Sequence, residues 1–199
     1  MLEVDERMLE ERRRLGHDRW DEMWEGVLHM VPPAGGPHQA FGTRFVVVLV
    51  PLADRRGLVA TYETGVFRTD NDYRVPDLVV ALPERRSPRG IEGAAEMVVE
   101  ILSPGDESYV KLDWYAALGV REMLLIHTVT KAVELYRGTP EGPVRVAPDA
   151  NGVLWSTSSR PASPLSPALS ASPGMAVRPT SRPTDPLPGA PATRPASGP

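Results

Sequence analysis

The sequence predicts an α/β domain of the α+β kind followed by a disordered tail, and three observations predict it. First, two β-branched apolar runs, residues 75–82 and 96–102, read as strands. The second is apolar on both faces, as a central strand covered on both sides would be. Second, residues 37–53 and 108–118 carry helical signals: Phe41, Phe45, Val48, Leu49 and Leu52 recur at helical spacing, and Gly119 supplies a stop. Third, the composition collapses after Trp155. Residues 157–199 hold 11 of the 22 prolines and no aromatic residue, Ile, Lys or Glu. Such a segment has too little apolar surface to offset its ordering entropy. The chain therefore divides into a charged helical segment (1–19), a folded domain (20–156) and a Pro/Ala/Ser/Arg-rich tail (157–199). A reading-frame shift in a GC-rich gene would produce such a tail.

Taken in order, residues 3–15 predict a charged helix with a thin apolar stripe of Met8, Leu9 and Leu15. Residues 24–31 predict one strand, ended by Pro32 and Pro33, with a turn at Gly35, Gly36 and Pro37. The helix over 37–53 has proline in its first turn, which places His38 there. The run Val46, Val47, Val48 also suits a strand, but the length favours helix. Pro51 predicts an end or bend. Strands follow over 57–62 and 65–68, then a turn at 69–72. The strand over 75–82 opens just after Pro76, where proline costs least. Residues 83–93, with three arginines, predict an exposed loop. After the strand over 96–102, Asp106 or Ser108 is the expected N-cap of the next helix. Strands over 121–127 and 132–137, and short ones over 144–146 and 153–155, close the domain. Trp24, Trp114 and Tyr115 are expected in the core.

Composition excludes several classes of function. The 199-residue chain has no cysteine, so disulfides and thiolate metal sites are out. That suits a reducing compartment, and a cytoplasmic location is the expectation. Residues 3–14 are too charged for a signal peptide, and the longest apolar run, residues 45–52, is too short to span a bilayer. No membrane partner is expected. A net charge of −4 argues against coating nucleic acid by bulk charge. It leaves room for a nuclease whose metal offsets its acids.

Two acids stand out against their surroundings. Asp77 lies at the mouth of one strand and Glu100 inside another. An isolated charge in a buried strand is costly unless it is paired or bound to a cation. Two such acids on neighbouring strands can share a divalent metal through hard oxygen ligands. Lys111, one of only two lysines among 22 basic residues, can supply positive charge to a developing anion. The competing readings are structural. They make Asp77 a turn residue, Glu100 the partner of a buried arginine, Lys111 an exposed cation against Tyr115, and His38 a helix-start or core residue. His127 has no assigned role.

Residues 20–137 resemble the Uma-two family of restriction-endonuclease-like proteins, within the PD-(D/E)XK nuclease superfamily. The resemblance rests on Glu22 to Gly26 with its following strand, Pro32 and Pro33 ahead of His38, and Val75, Pro76, Asp77. It continues through Val99, Glu100 to Ser103, Pro104, then Lys111 with Tyr115, and Gly119 to Glu122. It implies a mixed sheet flanked by helices and a metal-dependent site that hydrolyses DNA phosphodiesters. By carry-over, Asp77, Glu100 and the backbone carbonyl of Ile101 bind Mg²⁺ or Mn²⁺, and Lys111 assists. Glu22, Glu25 and His38 are additional candidates for the far wall. The superfamily's usual lysine position is Leu102 here, so the strict motif is broken and Lys111 is the expected replacement. A catalytically inactive module that binds nucleic acid or a protein is the alternative. Arg85, Arg86 and Arg89 are candidate contacts to a DNA backbone. Dimerisation is common among nucleases that cut both strands, so a homodimer stays open, although no interface is legible.

Overall fold

The computed structural model describes residues 5–103, 107–156 and 176–177. Apart from its two-residue strand, the expected tail lies outside the described residues, as does Asp106.

The N-terminal helix is α1 (Glu6–Leu15), capped by the Asp5 carboxylate, which accepts the Arg7 N–H at 3.0 Å, and ended by left-handed Gly16. It buries none of its residues, in keeping with its charged sequence; Arg12 pairs with Asp21. The single strand expected over 24–31 is a hairpin, β1 (Glu22–Trp24) and β2 (Val27–His29). The reason is the pair Glu25 and Gly26, both at positive φ (49° and 86°), a primed turn that the expectation overlooked.

Helix α2 (Gly36–Asp54) runs past Pro51. Proline removes one N–H, and the ladder resumes with the Arg55 N–H donating to the Pro51 carbonyl at 3.3 Å. Next come β3 (Val59–Tyr62), β4 (Val66–Thr69), β5 (Asp72–Arg74) and β6 (Leu78–Ala81). Strand β5 was not anticipated because Asp72, Tyr73 and Arg74 carry no apolar run. The loop expected over 83–93 contains β7 (Ile91–Glu92), whose Ile91 is fully buried. The remaining elements are β8 (Met97–Leu102), α3 (Ser108–Leu118), β9 (Glu122–His127), β10 (Val133–Thr139), β11 (Gly142–Arg145), β12 (Leu154–Trp155) and β13 (Ala176–Val177). Of the expected caps of α3, Ser108 is already helical, and Glu107 occupies the capping position without a side-chain cap.

Two mixed sheets result where one was expected. The larger has order β11-β10-β9-β8-β6-β3, with β8 and β9 parallel and its other pairs antiparallel. The parallel step is made by α3, the crossover such a connection requires. The smaller has order β2-β1-β5-β4-β7. Alternation along the larger sheet separates two apolar clusters. Val79, Val98, Leu102, Met123 and Leu125 pack with α3 residues Leu112, Trp114 and Tyr115. Leu78, Val80, Val99, Ile101 and Leu124 pack with α2 residues Leu49 and Ala53. All six residues of β8 are buried, and each large apolar one contributes about 1.5–3 kcal/mol. Covered on both faces, β8 is the central strand its sequence predicts.

Candidate active site

Strand register creates the site. Strands β6 and β8 pair Leu78 with Val99, so one step further Asp77 falls opposite Glu100. The ladder ends there, and the Asp77 side chain takes over: its Oδ2 accepts the Ile101 N–H at 2.6 Å. Its Oδ1 lies 3.2 Å from His38 Nε2, in the first turn of α2. The Asp77 carbonyl accepts the Glu63 N–H at 2.8 Å. The carboxylate is thus aimed from both oxygens.

Glu100 is 4% exposed. By alternation it shares the α3 face with Val98 and Leu102. Its Oε1 accepts the Tyr115 hydroxyl at 2.8 Å and the Lys111 ammonium at 3.4 Å. Ser108 Oγ reaches Oε2 at 3.4 Å. Burial pushes the Glu100 carboxyl up to about 8; Lys111 opposes the rise, while the charges of Asp77 and Glu22 add to it. Tyr115 is held well above its ordinary range by burial and by the charges of Glu100 and Glu22, which keeps it a donor.

The Lys111 side chain is 12% exposed, and its ammonium sits 2.8 Å from Glu22 Oε1. The exposed-cation reading of Lys111 therefore fails. Glu22 is 2% exposed. Its Oε1 also accepts the Val75 N–H at 2.9 Å, and its Oε2 accepts the Trp24 indole N–H at 2.7 Å. Leu102, where the superfamily pattern has lysine, is buried in the cluster with Leu112 and Tyr115. The helix packed over that position delivers Lys111 to Glu100.

Asp77, Glu100, Lys111, Glu22 and His38 all line one cavity of about 550 Å³. Glu25 does not: it sits in the exposed hairpin turn, and its N–H donates to Asp72 Oδ1 at 3.3 Å. Trp24, expected in the core, is half-buried and lines the cavity. Sequence reasoning missed Trp20, His29 and Glu63, which also line it. Glu63 accepts from Trp20 Nε1 at 2.7 Å and Gln39 Nε2 at 2.6 Å, with φ of 46°. No local pattern marks it. Arg89 is tied to Asp70 and Glu92, which weakens its candidacy for a DNA backbone. His127 lies 3.1 Å from both Glu134 and the Tyr109 hydroxyl.

Among the described residues no three His, Asp or Glu side chains are already gathered as metal ligands. The donor chemistry nonetheless fits a hard divalent cation. Burial and two neighbouring acids raise the cost of the charge on Glu100, a cost that a bound cation would relieve, and carboxylate oxygens are what Mg²⁺ and Mn²⁺ take.

A helix-flanked mixed sheet with acids at the end of two adjacent strands, and a lysine above them, defines a nuclease-like fold. Residues 9–164 match the model of the Uma2 family, described as "Putative restriction endonuclease". The chain belongs to the Uma2 family. It is also similar to the crystal structure of a "putative nuclease belonging to DUF820" from Anabaena variabilis. The two are 25% identical, with a TM-score of 0.52, over 61% of this chain and 74% of that one. A further match, to the cryoEM structure of a DrdV–DNA complex, has a TM-score of 0.36 at 13% identity. It spans 55% of this chain and 10% of that one, too slight a likeness to bear on function. No curated protein matches. Among the described residues no helix is long and apolar enough to cross a membrane.

Proposed function

We propose that this chain is a Mg²⁺- or Mn²⁺-dependent endonuclease that hydrolyses DNA phosphodiester bonds. The observation that carries the reading is the meeting of Asp77, Glu100 and Lys111 at one cavity, from a strand mouth, a strand and a helix. Asp77, Glu100 and the Ile101 carbonyl would hold the metal. When bound, it supplies Lewis-acid polarisation of the phosphate and a lowered pKa for the attacking water. Lys111 donates to a non-bridging phosphate oxygen as negative charge builds on the phosphoryl oxygens. Glu22 fixes that ammonium, and His38 with the Ile101 N–H fixes Asp77. Dimerisation is common among nucleases that cut both strands, so a homodimer would go with that activity; the absence of cysteine suits a cytoplasmic location.

The test is cleavage of supercoiled plasmid and single-stranded DNA with Mg²⁺, Mn²⁺ or EDTA, beside Asp77→Ala and Lys111→Ala. Metal-dependent nicking lost in both variants is expected. Cleavage that persists in EDTA or in Asp77→Ala overturns the assignment. One observation favours a second reading, an inactive nuclease-fold module that binds nucleic acid or a protein: the buried Leu102 breaks the superfamily motif. A well-folded protein that binds DNA without cutting it would establish that reading.

A further inference from the structure

One wall of the cavity is aromatic, and a stack of side chains runs to it from the core. The Arg68 guanidinium carbon lies 5.0 Å from the centre of the Trp114 ring. The Arg74 guanidinium lies between two indoles, 4.4 Å from Trp114 and 4.5 Å from Trp24. Trp24 then stacks on His29, with ring centres 4.0 Å apart and planes inclined by 15°. Strand β1 lies between β2 and β5, so His29 and Arg74 reach Trp24 from opposite sides. Arg74 and Trp114 are buried, whereas Trp24 and His29 are half-buried. The stack therefore emerges at His29, on β2, an edge strand of the smaller sheet. His29 lines the same cavity as Asp77, Glu100 and Lys111. Its cross-strand partner is Glu22, the acid that holds Lys111.

We propose that the outer face of His29 seats an unpaired nucleobase, adding one more layer to this stack beside the scissile phosphate. The proposal rests on the nuclease reading and names its substrate class: single-stranded or locally unpaired nucleic acid. In a duplex both faces of a base are covered by its neighbours, so a platform that works by stacking selects an unstacked nucleotide. Every base has such a face, so the seat tolerates sequence. It also suits a chain of net charge −4, which has little bulk attraction for a duplex backbone. The buried Arg74, clamped between two indoles, fixes the tilt of Trp24 and through it that of His29.

The test uses the full chain in EDTA, so that binding is read without cleavage. The probe is a single-stranded DNA oligonucleotide with 2-aminopurine at one position, moved along the strand in a series. Quenching at one or more positions on saturation by the wild-type protein is expected, a readout that needs no variant. His29→Ala should raise the Kd for the single strand about 5- to 150-fold, the loss of one base–aromatic stack. His29→Phe should restore both affinity and quenching. Unquenched emission at every position overturns the seat, as does failure to bind the single strand. So does a His29→Phe variant as weak as His29→Ala, or tighter binding of the matching duplex that His29→Ala leaves unchanged. The two readings fail separately. Quenching at one position without metal-dependent cleavage would keep the seat and remove the nuclease, and cleavage without quenching would do the reverse.

Discussion

Lys111 and Glu22 are 89 residues apart in the chain and 2.8 Å apart in the fold. The contact ties α3 to the first strand of the smaller sheet and places the ammonium between two carboxylates. Lys111→Ala should therefore lower single-turnover cleavage by on the order of 10²–10³, the cost of deleting one preorganised donor. Glu22→Gln keeps one carbonyl oxygen, which can serve Val75 or Trp24 but not both, and removes the charge facing Lys111. It should lower the rate by a smaller factor, roughly tenfold, with substrate affinity little changed. A Glu22→Gln enzyme with wild-type turnover would show that Lys111 needs no anchor.

Glu100 predicts a pH dependence whose sign follows from its raised pKa. The unfolded carboxyl titrates near 4.5 and the folded one near 8. Between these values the folded state holds more protons, so stability falls as pH rises through that window. Below about pH 4.5 both states are protonated and the penalty vanishes. Thermal melts in EDTA at pH 5 and pH 8 should show a decline for the wild type, on the order of a few kcal/mol. Glu100→Gln should flatten most of it. A variant that keeps the full wild-type slope would move the effect to another group. Divalent metal should also flatten the wild-type slope, because it favours the ionised carboxylate.

Much of the larger sheet was legible because its strands are apolar and β-branched, and β8 is the clearest case. The acids at Asp77 and Glu100 were legible for the same reason: a charge inside such a run is an exception. Of the smaller sheet, the strand over 65–68 was legible as β4 and residues 24–31 were legible as extended, but β5, β7 and the hairpin turn were not. Its strands are two to four residues long and carry Asp72, Arg74 and Glu22 in place of an apolar repeat, so no period exists to read. Arg74 is buried because two indoles and Asp72 surround it, and both indoles are remote in sequence, Trp114 by 40 positions. The aromatic wall was missed for the same reason. Trp24 and His29 look like unremarkable strand residues until the Glu25–Gly26 turn folds one onto the other.

Arg74 should accordingly be structurally critical although its segment looks like loop. It pairs with Asp72 at 3.0 Å and donates to the Met23 carbonyl at 2.8 Å. Arg74→Met leaves the largely buried Asp72 with Arg68 and the Trp114 N–H but without its buried partner, so the loss should be about 1–3 kcal/mol. Replacing both partners, as in Arg74→Met with Asp72→Leu, should recover part of the loss. Urea denaturation of the single and double variants measures the coupling. A single-variant loss below about 1 kcal/mol would mean that the pair behaves as a surface contact.

Asp77 separates metal binding from folding. Its Oδ2 accepts the Ile101 N–H and its Oδ1 faces His38. Asp77→Asn preserves an acceptor for Ile101 and the shape of the side chain, so it should change stability in EDTA by no more than about 1 kcal/mol. What it removes is charge, and hard cations depend on charge. Wild-type protein should therefore melt higher as Mg²⁺ or Mn²⁺ is added, by RT ln(1 + [M]/Kd), or about 2.7 kcal/mol at a hundred times Kd. Asp77→Asn should lose most of this metal-dependent gain while keeping its metal-free melting point. If both proteins gain equally, the cation binds elsewhere and Asp77 is not its ligand. If neither gains while both melt cooperatively, the acids at the end of β6 and β8 serve the fold alone, with Lys111 as their permanent counter-ion.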